Sequence, residues 1–331
     1  MVLKEKSPPG RKIYFSRDYR RFLERAGENG FIVIFVLWCI YLSLVTDAFL
    51  TPRNIFTVLR QTSIVSIVAI GEMLVMLMGT MDISLAAVLG FSGVFTAGLM
   101  IQFNIPPLAA GLIGIVLGGT IGLINGVLVS RIKINAVIAT LGMMGILDGI
   151  AFIYAQGQTI YGDQMENIAF LSRGYIGPIP IPVILMFVFY VVFYFILNRT
   201  VYGAHLYAMG NNERASWLSG IPTDRLKILT FGLAGLLAGF GGVMQISRQG
   251  SATGGMGNEF LFPILTTVIL GGVSLSGGKG RILNVLIASI FLVTITNGMI
   301  LLGVSIYAQR IISGAILIVA LSLDQLQTRL R

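Results

Sequence analysis

Apolar runs of roughly 20 residues recur along this chain from Phe31 to Leu323, separated by short polar joints. A helix rising 1.5 Å per residue needs about that length to cross a ~30 Å hydrocarbon core. Lipid offers the backbone no hydrogen-bond partner, so each crossing segment must satisfy its own amides, as a helix does. Only 11% of the 331 residues are charged, about half the fraction of a soluble domain. The pattern therefore implies an all-α polytopic membrane protein. The 41 glycines fit that class, because small residues let membrane helices approach closely.

The runs are read at about 30–49, 56–79, 84–101, 108–130, 136–155, 181–198, 226–246, 259–273, 282–303 and 306–323. About ten transmembrane helices put both termini on one side. Before them stands a basic leader at 1–29, with an amphipathic piece around Tyr14 to Leu23; after them comes a short tail at 324–331. Lysine and arginine set the orientation. Eight lie in the leader, two in the tail (Arg329, Arg331), and eight in alternate joints: Arg131, Lys133, Arg199, Arg214, Arg225, Lys227, Lys279 and Arg281. The remaining five of the 23, Arg53, Arg60, Arg173, Arg248 and Arg310, fall on the other side. Positive charge is retained in the cytoplasm, so both termini are expected there, with a polar cytoplasmic loop at 199–227. The net charge of +9 draws eight of its 23 basic residues from the leader and does not indicate a nucleic-acid partner. Cys39, the only cysteine, lies in the first span, which excludes an intrachain disulfide. The long polar leader and Thr46-Asp47-Ala48-Phe49 do not make a cleavable signal peptide.

Within this oily chain, Gly210 to Ile221 is polar and patterned. Asn211 or Asn212 can cap a helix start, with Glu213 in its first turn near the positive dipole end. Ala215, Leu218 and Ile221 recur at three-residue spacing with Trp217 beside them, and Gly220-Ile221-Pro222 ends the element. Such a helix is too short to be stable alone in water, so it rests on something. Two readings stand: a solvated loop helix packed on its own protein, or a docking knob for another subunit.

Asn125-Gly126 and Asn297-Gly298 occupy the fourth and ninth spans, 172 residues apart. The same offset carries 56–79 onto 228–251, 84–101 onto 256–273 and 136–155 onto 308–327. Each pair runs in opposite directions across the membrane, the mark of two inverted four-helix repeats. Polar groups inside or at the ends of spans are Glu72, Asp82, Asp148, Glu259, Asn125, Asn297, Gln245 and Arg310. Ionisable groups in lipid are expensive, so these either line a solute path or bond helix to helix. Gly79-Thr80-Met81-Asp82-Ile83-Ser84 interrupts two spans without a loop and is read as a helix break, with Asp82 or Ser84 capping the next helix. Its mirror is the Gly- and Ser-rich stretch from Ser247 to Asn258.

Gly271 to Gly280 looks superficially like a phosphate loop, but Val273 stands where the first glycine belongs and Gly280, not a hydroxyl residue, follows Lys279. It reads instead as a tight turn between spans. One histidine, His205, excludes a multi-histidine metal site, and no nucleophile–base set can be assembled. Neither a metal nor a cofactor is expected, and the chain does not read as an enzyme.

Several of these stretches together resemble a known family. Gly79-Thr80-Met81-Asp82-Ile83-Ser84 stands where the family has Gly-Ile-Asp-Leu-Ser. Ile138 to Met144, Tyr202-Gly203-Ala204-His205, Tyr207 to Asn212, Leu218-Ser219-Gly220-Ile221, Ile269 to Arg281, and Asn297-Gly298 with Leu302 to Ser305 continue the match. The chain resembles the membrane-spanning permease of ribose-type ABC sugar importers, a group that also serves arabinose, xylose, galactose and autoinducer uptake. The resemblance implies a bacterial cytoplasmic (inner) membrane and a complex of two permease copies, a cytoplasmic ATP-binding subunit and a soluble solute-binding protein outside. It also implies that Asn211, Asn212, Glu213, Arg214, Trp217, Leu218, Ser219, Gly220 and Ile221 couple to the ATPase, which favours the docking reading. Asp82, Ser84, Asn125, Glu259 and Asn297 are the candidates for the translocation path or gate. There are departures: Ala86-Ala87 replace Gly-Ser, and Glu259-Phe260-Leu261-Phe262-Pro263 lacks the Asp of ribose permeases at Leu261 and adds Pro263, expected to kink the helix. The function expected is a permease subunit moving a sugar or similar polyhydroxylated solute inward. The alternative is an ion-coupled secondary transporter using Asp82, Asp148 or Glu259.

Overall fold

The computed structural model describes residues 33–330, with side chains as far as 322. The leader and its amphipathic piece, and the side chains of the tail, lie outside the described residues.

Every apolar run forms a helix. The helices are α1 (Val33–Val45), α2 (Pro52–Leu77), α3 (Leu85–Ile101), α4 (Pro107–Ser130), α5 (Ala136–Tyr154), α6 (Phe170–Arg173), α7 (Ile181–Arg199), α8 (Val201–Asn211), α9 (Glu213–Leu218), α10 (Thr223–Gln249), α11 (Leu261–Leu270), α12 (Ile282–Leu301) and α13 (Ile306–Leu330). Six of them, α2, α4, α5, α7, α10 and α12, are long and apolar enough to cross a membrane; the apolar stretches of α1, α3, α11 and α13 are shorter. The chain is thus a helical, multi-pass membrane protein. Local chemistry sets the ends. Thr51 caps α2 by accepting from the Asn54 amide, with Pro52 at the first position; Asn135 caps α5 by accepting from Val137 and Ile138. Gly79 and Gly250, at φ +75° and +72°, take the left-handed conformation that stops α2 and α10. Pro263 does not kink a span. It falls in the first turn of α11, after a 3-10 turn at Asn258–Phe260, where its missing N–H has no carbonyl to meet.

α2 and α10 form the centre. The apolar window of α2 is 83% buried, against 22% for α5 at the periphery. α10 packs on α4, α3 and α2, and α2 packs in turn on α12, α11 and α7. In lipid there is no hydrophobic force between helices, so close packing has to supply the association. The α4–α10 contact supplies it backbone to backbone. A Cβ added at Gly118 would lie 2.5 Å from the Gly235 carbonyl oxygen and 2.9 Å from Gly239 Cα, and one at Gly126 would lie 2.7 Å from Ile228 Cα.

The segments joining the helices gather at two ends. One end holds α8, α9 and the turns at 78–84, 131–135 and 271–281. The other holds the long loop 156–180, which departs from pure helix in two short ribbons. β1 (Ile160–Tyr161) pairs with a strand at Ser251–Ala252, and β2 (Tyr175–Ile176) pairs with β3 (Ile179–Pro180). Ser172 and Ser247 sew this loop to α10: the Ser172 hydroxyl donates to Met244 O at 2.6 Å and the Ser247 hydroxyl to Ile168 O at 2.7 Å.

Gly118→Ala places a methyl group into backbone. We expect it to destabilise the fold by about 1–3 kcal/mol, read as a lower melting temperature of the detergent-solubilised protein. Gly142→Ala on α5, where a Cβ meets nothing within 4 Å, should not lower it. Equal melting of the two variants would show that the α4–α10 contact does not hold the bundle.

Candidate functional site

Two of the sequence-predicted groups lie at the same end of the bundle. The first is α9. Asn212 is its cap, accepting from the Ala215 amide at 2.9 Å, and Glu213 occupies the first turn. Asn211 instead ends α8, its side chain donating to Tyr207 O. Gly220, at φ +86°, closes the element. The helix has six residues, shorter than the two turns expected. Its apolar stripe does not face its own protein: Trp217 is 62% and Leu218 70% exposed, Ala215 is exposed, Ile221 is half-buried, and Ser216 alone is buried. Arg214 and Ser219 are also exposed.

What holds α9 in place is ionic. Lys227 Nζ donates to both Glu213 oxygens at 2.7 and 2.8 Å. Lys227 is 6% exposed and sits under the loop, while the Glu213 side chain remains 44% exposed. Breaking a buried pair strands a charge at 3–5 kcal/mol; with one partner wet, about 1–2 kcal/mol is the scale here. Glu213 therefore positions α9. The Lys133–Asp224 pair at 2.8 Å is open to water at both partners and contributes less. α8 is pinned by two phenols: Tyr202 shares a 2.8 Å hydrogen bond with Thr230, and Tyr207 donates to Gly280 O at 2.9 Å. Burial pushes the Tyr202 phenol up to about 12, partly offset by the Thr230 bond, so it stays a neutral post.

The second group is the break at 78–84. Its amides must be satisfied inside the protein. Gly79 N–H returns to Met76 O; Asp82 N–H donates to Glu72 Oε1 at 3.3 Å; Ile83 N–H donates to Thr140 Oγ1 at 3.2 Å; Ser84 N–H donates to Asp82 Oδ1 at 2.9 Å. Ser84 stands at the cap position of α3, but its hydroxyl makes no cap and donates to Asp82 at 2.6 Å. Asn125, from α4, donates to Ser84 Oγ at 2.8 Å and to Asp82 Oδ2 at 3.4 Å. Asp82, Ser84 and Asn125 thus form one closed polar cluster, fully buried together with Glu72. Oε2 of Glu72 and Oδ1 of Asn125 have no hydrogen-bond partner among the described residues.

Asn297 and Glu259 are not part of this cluster. Asn297 exchanges amide hydrogen bonds with Asn54, at 2.8 and 3.0 Å, tying α12 to the start of α2. Glu259 is exposed at the opposite end, accepting from Gln245, whose carbonyl accepts from Arg248. Glu72, already a candidate among the in-span polar groups, completes the break, as does Thr140; Asn54 and Lys227 complete the other two sites. Glu72 had a signal, a lone carboxylate inside an apolar run. Asn54 and Lys227 had none, since a helix-start amide and a joint lysine are ordinary.

Known proteins resemble this chain over most of its length. Residues 54–321 match the family model described as "Branched-chain amino acid transport system / permease component". The ribose import permease protein of Bacillus subtilis is 36% identical over 301 residues, covering 89% of this chain and 91% of that protein. The L-arabinose ABC transporter permease protein of Azospirillum brasilense is 37% identical over 301 residues (90% and 87%). The D-allose transport system permease protein of Escherichia coli is 34% identical over 309 residues (93% and 94%). No solved structure matches the chain. The chain belongs to this family of transport-system permease components.

Proposed function

We propose that this chain is the membrane-spanning permease subunit of an ATP-driven importer for a sugar or similar small polyhydroxylated solute, and that ATP hydrolysis belongs to a partner subunit docked on α9. The observation that carries this is the exposed Trp217–Leu218 face. A capped, ion-paired helix presenting its apolar side to solvent has the form of a contact waiting for a partner. The end of the bundle that bears it holds eight of the thirteen basic residues between 33 and 322, which favours the cytoplasm and hence the cytoplasmic ATP-binding subunit. The family description names amino acids, but the relatives above are named for ribose, arabinose and allose, and they span nearly the whole chain; they favour a sugar. A solute-binding protein outside and a second permease copy complete the complex.

Helix packing supports two inverted repeats. Exchanging α2–α5 for α10–α13 maps the observed neighbours onto one another: α10 with α4 onto α2 with α12, α10 with α3 onto α2 with α11, α3 with α5 onto α11 with α13. The polar chemistry does not follow that symmetry, since Asn125 joins Asp82 and Ser84 whereas Asn297 joins Asn54. Such a bundle can rock while keeping a distinct lock on one side. In this reading the Asp82–Ser84–Asn125 cluster is a gate, shut in the conformation seen here. The alternative, an ion-coupled carrier, is favoured by the buried carboxylates of Glu72 and Asp82.

Trp217→Ala with Leu218→Ala removes the exposed apolar face and spares the Asn212 cap and the Lys227–Glu213 pair. The variant should insert normally yet retain the ATP-binding subunit on co-purification at least about tenfold less well, the scale of losing hot-spot aromatics. Normal retention and transport would remove the coupling role. The gate has its own test. In a Cys39→Ser background, Ser84→Cys should react with a membrane-impermeant thiol reagent during ATP turnover with solute present and not at rest. Equal labelling in both states, or none in either, would contradict a gate there.

A further inference from the structure

Three segments meet beside α9 with nothing between their backbones. The last turn of α2 ends at Leu77 and Gly79; α8 ends at Gly210 and Asn211; the turn after α11 passes through Gly277 and Gly278. The Gly278 amide donates to Leu77 O at 2.9 Å. A Cβ at Gly210 would collide with Leu77 O and the Gly278 amide. One at Gly277 would lie 2.6 Å from the Gly79 nitrogen and 2.9 Å from Gly210 Cα; one at Gly278 would lie 2.6 Å from Asn211 Oδ1. Tyr207 on α8 fastens the far side of the turn through Gly280 O.

Turn geometry does not account for all four glycines. Gly79, Gly277 and Gly278 have φ of +75°, +82° and +71°, but Gly210 is not among the positive-φ residues and lies within α8. At Gly210 the close approach alone requires the absence of a side chain. Contact between backbones is also stiff: no rotamer can turn to absorb a displacement. Three residues beyond Gly79 stands Asp82, whose carboxylate organises the buried cluster with Ser84 and Asn125.

We propose that the junction of Gly79, Gly210, Gly277 and Gly278 is the transmission point between the coupling loop and the gate. Movement of α8–α9 passes, backbone to backbone, into the end of α2 and so into the break that carries Asp82. The four glycines are positioning residues; they touch neither solute nor nucleotide. This inference rests on the coupling reading above and adds the route by which force leaves α9.

The test uses the full complex with its ATP-binding subunit and binding protein, reconstituted in proteoliposomes, and reads solute moved per ATP hydrolysed together with retention of the ATP-binding subunit. Gly210→Ala should keep the subunit and its ATP hydrolysis while solute per ATP falls about tenfold, a coupling loss within the usual range. Gly272→Ala controls for backbone strain: it sits on the same turn at φ +76°, but a Cβ there meets nothing within 4 Å, and its ratio should match the wild type. Tyr207→Phe adds no atom and removes only the bond to Gly280 O, so it keeps the test alive if Gly210→Ala does not fold; its ratio should fall a few-fold with the subunit retained. An unchanged ratio in Gly210→Ala, or in Tyr207→Phe where Gly210→Ala does not fold, overturns the proposal. So does loss of the subunit in Gly210→Ala, because the junction would then only shape the docking surface. Failure of the coupling reading itself shows separately, as a Trp217→Ala complex that still holds its partner and transports.

Discussion

Backbone amides that leave a helix inside a membrane protein have no water to turn to, and the short break between α2 and α3 is where this chain meets that constraint most sharply. Four side chains answer it. Glu72, Thr140 and Asp82 accept the amides of Asp82, Ile83 and Ser84, and Asn125 reaches across from α4 to donate to Ser84 and Asp82. The helices that donate these groups are thereby fixed relative to one another at a single point. A buried network of this kind is worth having only if nearly every member is satisfied. Here two atoms, Oε2 of Glu72 and Oδ1 of Asn125, have no partner among the described residues.

Around that point the fold uses two different kinds of close contact. Along α4 and α10, glycine lets long helices lie together over many turns, and the contact is structural. At Gly79, Gly210, Gly277 and Gly278 the glycines come from three separate segments, and the contact is local. α9 complements both. Its cap and its Lys227 pair hold it from beneath, and Trp217 and Leu218 remain exposed.

Much of this was legible in the chain. Length and hydropathy of the runs located the helices, because span length is dictated by the bilayer and not by the rest of the fold. The break at Gly79 to Ser84, and a cap at Asn211 or Asn212, could be read because both depend on neighbours a few residues away; the structure puts the cap at Asn212. What could not be read depends on distance. Nothing near Lys227 says that it turns inward under Glu213, and nothing near Asn54 says that Asn297, 243 residues away, will meet it. Pro263 misled for the same reason: whether a proline kinks or starts a helix depends on where the helix begins, and the Gly-rich stretch before it delays that start to Leu261. The symmetry of spacing likewise suggested that Asn125 and Asn297 were counterparts. Their hydrogen-bond partners differ, Ser84 and Asp82 for Asn125 and Asn54 for Asn297.

The central claim is that force enters this permease from an ATP-hydrolysing partner and not from an ion gradient. Proteoliposomes holding the permease, its ATP-binding subunit and its binding protein should accumulate labelled sugar only when ATP is enclosed, and should go on doing so when an uncoupler collapses every ion gradient. Accumulation by the permease alone, independent of ATP and abolished by the uncoupler, would contradict the account.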